Sequence, residues 1–250
     1  MANGSYPARL GIEAPLDVRN WRPLVNWFLA IPHYLVLYAL RILRQVLLLI
    51  SFFTVLFTKQ IPQQMFDLVV MTRRYGWRVG TYAVWMREAY PPFSFGSTGQ
   101  DDGIDPAWLT VDYPRDLTRW GPLVKWLLAI PHYVVLLFLR IGAFFVILVS
   151  FFAVLFTGKW PEGMRSYVVG VSRWSLRVVT YVAFMTDEYP PFSLENGAPG
   201  GTPSVPMGGP PPQAPAGERL FQGEGGQAPP PPPPPESDRP IVPPAPPTPE

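Results

Sequence analysis

The sequence predicts a mainly α, integral membrane protein. Two tandem repeats make up its body, each with a short N-terminal strand, a long Pro-kinked transmembrane helix and a second, Arg-bearing helix that is amphipathic or transmembrane. A disordered C-terminal tail follows. Three observations carry this reading. The chain of 250 residues matches itself without a gap when shifted by 99 positions. Each copy holds one almost continuously apolar run of about 35 residues, longer than the roughly 20 that cross a bilayer. After Leu194 the composition changes: 20 of the 34 prolines fall in the last 56 residues.

Residues 7 to 95 align with 106 to 194, and about half of the positions are identical. The densest block is Pro23 to Tyr34, repeated as Pro122 to Tyr133. This divides the chain into an N-terminal extension (1–5), repeat 1 (6–95), an acidic linker (96–105), repeat 2 (106–194) and a Pro/Gly-rich tail (195–250). The formal charge of +2 is an average over unlike parts, because the tail holds six acids and two bases and the remainder twelve and eighteen. No cysteine and only two histidines are present. Disulfide frameworks, thiolate zinc sites, cysteine nucleophiles and histidine-rich metal sites are therefore excluded, and no cofactor is implied.

Each copy opens on an alternating segment, Ala8 to Ala14 and Ala107 to Tyr113, with Leu10 and Ile12 or Leu109 and Val111 on one side of an extended chain. These read as short strands, ended by Pro15 and Pro114. The apolar runs follow, Leu24 to Thr58 and Leu123 to Thr157. As one straight helix each would measure roughly 52 Å against a hydrocarbon core of about 30 Å. Pro32 and Pro131 are expected to kink or break them. The part before the proline, with Trp27 or Trp126, is an interfacial turn, and the part after it has transmembrane length.

A second helix runs from about Met65 to Met86 and from Met164 to Met185. Arg74 and Arg78, repeated as Arg173 and Arg177, make its insertion nearly neutral, each arginine costing about 2.5 to 3.5 kcal/mol. Two alternatives stand, a crossing helix and a surface-lying one. The repeat favours crossing, since near-identical flanks then face one compartment. Positive-inside placement of Arg9, Arg19 and Arg22 and of Arg87, Arg115 and Arg119 puts both termini in the cytoplasm of a multi-pass protein. The first 23 residues contain no apolar signal region. The tail, with seven consecutive prolines at 229 to 235, cannot bury a core and is expected to form disordered and polyproline II stretches. It is a candidate for docking in a partner's aromatic groove, or a passive solubilising segment.

The candidate residues occupy repeated positions. His33 and His132 sit beside the helix-breaking prolines, where a proton or headgroup site competes with a structural role at the kink. Arg41 and Arg140 lie about eight residues further on, inside the apolar run, and join the histidines in that candidate site. Arg74, Arg78, Arg173 and Arg177 form basic stripes that are candidate anionic-lipid contacts, lipid phosphate or backbone carbonyls being the partners left to them. Trp27, Trp126, Tyr90 and Tyr189 are candidate interface anchors. Asp101, Asp102 and Asp105 read as solvated linker. Nucleotide loops, hydrolase elbows and zinc-helix motifs are missing from the sequence, and its basic residues are too dispersed for a nucleic-acid interface.

At its Trp-x-Leu-Ala-Ile-Pro-His-Tyr, Ser-Phe-Phe-x-Val-Leu-Phe-Thr and Tyr-Pro-Pro-Phe-Ser blocks, the sequence resembles a bacterial membrane-protein family known as domain of unknown function 4389. The resemblance covers residues 6 to 194, both copies, and implies an integral protein of the bacterial cytoplasmic membrane. It carries over no activity, ligand or catalytic residue. The expected function is a non-enzymatic scaffold or lipid-organising protein that presents a Pro-rich cytoplasmic tail. The alternative is a small transporter or lipid-handling protein using His33, His132 and the intramembrane arginines.

Overall fold

In a computed structural model, residues 6–96, 98–114 and 117–195 are described. The N-terminal extension and nearly all of the Pro-rich tail lie outside them. The elements are β1 (Ala8–Ile12), α1 (Arg22–Leu29), α2 (Ile31–Thr58), α3 (Gln63–Ala83), β2 (Ala107–Val111), α4 (Gly121–Leu128), α5 (Ile130–Thr157) and α6 (Glu162–Val182). Each repeat thus supplies one strand, a short helix, a 28-residue helix and a 21-residue helix.

The long apolar run breaks at Ala30, two residues before Pro32, and runs on helically through the proline. α1 stops at Leu29, Ala30 stays near helical geometry with φ −79° and ψ −7°, and Pro32 sits in the first turn of α2, where its missing N–H costs nothing. Pro131 occupies the same place in α5. α2 closes on Lys59 and α5 on Gly158, both in the left-handed conformation that returns an N–H to Val55 or Val154.

The two strands pair with each other across the repeat boundary, antiparallel, with Leu10 facing Leu109. These are equivalent residues of the two copies, so a pseudo-two-fold axis passes between them. The packing is exchanged: α3 of repeat 1 lies on β2 of repeat 2, and α6 of repeat 2 lies on β1 of repeat 1. Leu10, Leu109 and Val111 are buried on the helix side, whereas on the other face the Trp108 ring covers Gly11. A Cβ at Gly11 would stand 2.6 Å from that ring, which is why this position has no side chain.

The ends of the long helices are exchanged as well. Leu117 donates its N–H to the Lys59 carbonyl at the end of α2, and Val18 to the Gly158 carbonyl at the end of α5. Asn20 caps the Leu155 carbonyl. The end of α5 therefore lies beside the segment leading into α1 and α2. From Asn20 to Ile31 the chain reaches only about 20 Å, whereas a 28-residue helix measures about 42 Å. The start of α2 consequently stays near the end of α5, and the two long helices run in opposite directions.

The layers follow from the apolar pattern. The sheet packs on α3 and α6, which are largely buried, and α2 packs on α3 and α5 on α6. α2 buries His33, Leu47, Ser51 and Val55 and exposes the opposite stripe, including Leu35 at 74% and Phe57 at 72%. α5 does the same, with Phe156 76% exposed. Among the described helices only α2 and α5 are long and apolar enough to cross a membrane. α3 and α6, for which crossing was expected, fall short of that because polar and charged side chains interrupt them, and they form the core instead.

Candidate functional site

Arg74, Arg78, Arg173 and Arg177 are engaged inside the protein by backbone carbonyls, one of the two classes of partner expected for them, and by linker acids rather than by anionic lipid. Arg74 Nε donates to the Leu109 carbonyl at 3.0 Å and pairs with Asp101 at 3.1 Å, and Asp101 in turn accepts the Leu109 N–H at 2.9 Å. Its equivalent, Arg173, donates to the Leu10 carbonyl at 3.1 Å. The pair thus satisfies the outward-facing groups of a two-stranded sheet, whose edges would otherwise be open. Arg78 holds Ser94 at 2.9 Å, Asp101 at 3.2 Å and Asp102. Among the described residues Arg177 has no acid partner, and it binds the carbonyls of Ser193 and Glu195. Burial pushes the Arg177 guanidinium down to about 10.

The acidic linker is therefore not merely solvated. Asp105 is buried against Arg87 at 2.6 Å, with both side chains 1% exposed, and Asp102 is held below the usual carboxylate range by the hydrogen bond from Arg78. In repeat 2 the corresponding load is carried by Lys125, which pairs with Asp187 and donates to the Thr186 carbonyl, each at 2.6 Å. Lys125 stands where repeat 1 has Asn26, which donates to the Tyr82 carbonyl at 2.9 Å.

His33 and His132 are wholly buried at the start of the long helices. His33 Nδ1 is 2.6 Å from the Tyr75 hydroxyl, and His132 Nδ1 accepts from Trp174 Nε1 at 3.1 Å, which requires that nitrogen to be unprotonated. Phe93 stacks on His33 at 4.2 Å and Phe192 on His132 at 4.0 Å, with Tyr90 and Tyr189 alongside. The Tyr90 and Tyr189 hydroxyls reach the final carbonyls of α1 and α4, Leu29 and Leu128. Each Tyr-Pro-Pro-Phe segment thus closes over a histidine. This arrangement differs from a histidine bonded to carbonyls freed by a proline kink, because the helix breaks before the proline. Trp27 and Trp126 are more than half exposed.

Arg41 and Arg140 are both exposed, but only Arg140 lines a cavity. A cavity of about 420 Å³ lies on the pseudo-two-fold axis, floored by Leu10 and Leu109 and walled by α3 and α6, with α2 and α5 at its far end. Arg140, Arg44 and Arg73 line it, and among the described residues no acid does. Arg44 and Arg73 have Ala143 and Ser172 as their equivalents, so the repeat comparison that drew attention to the other arginines passed over them. No group of three metal-ligating side chains occurs among the described residues.

The sequence model of the family described as Domain of unknown function (DUF4389) matches residues 20–94 and 119–193, one copy in each repeat. A two-copy member of a membrane-suited helical class is what fold and sequence define, and the chain belongs to that family. Neither curated proteins nor solved structures provide a match.

Proposed function

We propose that this chain is a non-enzymatic, membrane-bound protein that organises lipid, with α2 and α5 lying in one face of the bilayer rather than crossing it. The observation that carries the proposal is the row of exposed apolar side chains along α2 and along α5, joined by Trp27 and Phe28 of α1 and Trp126 and Leu127 of α4. Soluble monomers rarely expose apolar patches beyond a few hundred Å². Two further observations support the in-plane orientation over the crossing helices that hydropathy alone favours. The long helices are antiparallel about an axis that also runs through the sheet, so crossing would lay that axis in the bilayer midplane. The Arg9–Asp112 pair of the sheet would then sit at mid-depth, in conflict with the cost of charge there. Arg41 and Arg140, about 15 Å from their helix starts, would also reach the centre, at about 2.5–3.5 kcal/mol each. In-plane, the axis is the membrane normal, and both arginines reach the phosphate level. The anchor role of Trp27, Trp126, Tyr90 and Tyr189 fits this placement.

On this reading the protein is peripheral to one leaflet of a bacterial cytoplasmic membrane, on its cytoplasmic side, and leaves the Pro-rich tail in water for a protein partner. Vesicle flotation of the full chain tests it. Wild-type protein floats with phosphatidylcholine–phosphatidylglycerol vesicles and resists high salt. Replacing Leu35, Ile42, Leu49 and Phe57 together by serine abolishes flotation while the circular dichroism of the folded protein is kept. Wild-type protein remaining at the bottom of the gradient refutes the proposal.

A further inference from the structure

The axial cavity brings together three guanidiniums from three helices: Arg44 of α2, Arg73 of α3 and Arg140 of α5. None of the three has a hydrogen bond or ion pair among the described residues, whereas Arg74 and Arg78, close to Arg73 in α3, hold linker acids and carbonyls. Arg73 is half-buried, and burial followed by the charges of Arg44 and Arg140 pushes it down to about 10. Like charges gathered in a partly enclosed apolar setting are unfavourable unless an anion joins them. The rest of the lining is aliphatic apart from Thr72, Ser172, Ser175 and Trp77. Thr72 and Ser172 spend their hydroxyls on backbone carbonyls of their own helices, at 2.8 Å each. Ser175 has no such bond among the described residues.

Arg73 and Val179 also line a second cavity of about 420 Å³, between α2 and α6, whose other walls include Leu48, Phe52, Val182 and Phe184. A charged chamber therefore opens beside an apolar one, with Arg73 at the boundary. We infer that the paired cavities bind one anionic phosphate-bearing amphiphile, its phosphate on Arg44, Arg73 and Arg140 and one acyl chain along Phe52 and Phe184. Guanidinium forks match phosphate oxygens geometrically, and the Ser175 hydroxyl supplies a further donor. The site is asymmetric although the fold is two-fold, because Ser172 and Ala143 replace Arg73 and Arg44 in the second copy; one ligand per chain follows. The inference rests on the membrane reading above and deepens it.

Native mass spectrometry of the detergent-solubilised full chain tests it, with added phosphatidylglycerol, phosphatidylcholine or inorganic phosphate. Wild-type protein is expected to hold one phosphatidylglycerol. Arg73→Gln is expected to weaken that binding about tenfold, and Arg119→Gln, which removes the same charge outside the cavity, to leave it nearly unchanged. Equal loss in the two variants, or none in Arg73→Gln, overturns the site. Saturation by inorganic phosphate alone overturns the lipid as its source. Arg73→Lys, which keeps the charge but loses the fork, is expected to fall between wild type and Arg73→Gln. Flotation separates the two proposals: wild-type protein that floats but shows no single-lipid adduct refutes this site and leaves the membrane reading standing.

Discussion

Arg87 and Asp105 illustrate how much of this protein's charge is spent internally. Both side chains are excluded from water, and Arg87 also donates to the Arg78 carbonyl at 2.9 Å. Removing one member strands the other, so Arg87→Met is expected to cost about 3–5 kcal/mol in chemical denaturation, and Arg87→Met with Asp105→Leu distinctly less. Asp102 gives a pH signature. Its carboxyl is lowered from 3.8 by the hydrogen bond from Arg78. A lowered folded value means that the contribution is complete above about 3.8 and disappears as pH falls through the lower folded value. Asp102→Asn should therefore destabilise the protein at neutral pH and flatten the acid limb of its stability curve. A limb of unchanged steepness in the variant would show that Asp102 is not the group responsible. Arg74, Arg78, Arg173 and Arg177 were visible in the sequence as paired positions, and backbone carbonyls as one class of partner, but which groups they meet was not. The Leu109 and Leu10 carbonyls are brought close by the strand exchange, which leaves no mark on either repeat alone, and the remaining partners lie in the irregular segments that follow α3 and α6, whose path the sequence does not show.

At the scale of elements, the two copies offer a natural comparison of helix ends. α2 ends on Lys59 with φ 62° and α5 on Gly158 with φ 68°. A side chain in that conformation carries a steric cost that glycine lacks, so Lys59→Gly should raise stability by about 0.5–1 kcal/mol in thermal or chemical melts. The strands, the apolar runs and the second helices were all legible, because period-two alternation, length of apolar sequence and the proline positions each act locally. The break before Pro32 was legible as an interruption but not as a clean end: proline tolerates the first turn of a new helix, and Ala30 needs only a small change of ψ to begin one. The fate of α3 and α6 was harder. Their charge balance is the same whether the arginines meet lipid, water or protein, and only the packing of both helices on the exchanged strands selects the protein.

At the scale of the whole molecule, symmetry links architecture to the proposed membrane placement. The sequence contains the duplication, and with it two equivalent apolar runs, but equal repeats are compatible with parallel or antiparallel long helices. The direction is set by contacts between repeats: Val18 with Gly158, Leu117 with Lys59 and Leu10 opposite Leu109. Those contacts put both apolar stripes on one side and the sheet with its ion pairs on the other, which hydropathy read helix by helix could not reveal. The same exchange creates the axial cavity, where Arg44 and Arg73 break the two-fold pattern and so escaped a search for matched positions.

The natural chain contains no cysteine, so single nitroxide labels can be introduced without background. Labels at Leu35→Cys, Val46→Cys and Phe57→Cys follow the exposed stripe of α2 from one end to the other, and their immersion depth in bilayers tests the central claim. The in-plane account predicts three similar depths, about 5–10 Å below the headgroup boundary. A label at Val46 lying near the bilayer centre, with those at Leu35 and Phe57 close to opposite surfaces, would contradict it and make α2 a crossing helix.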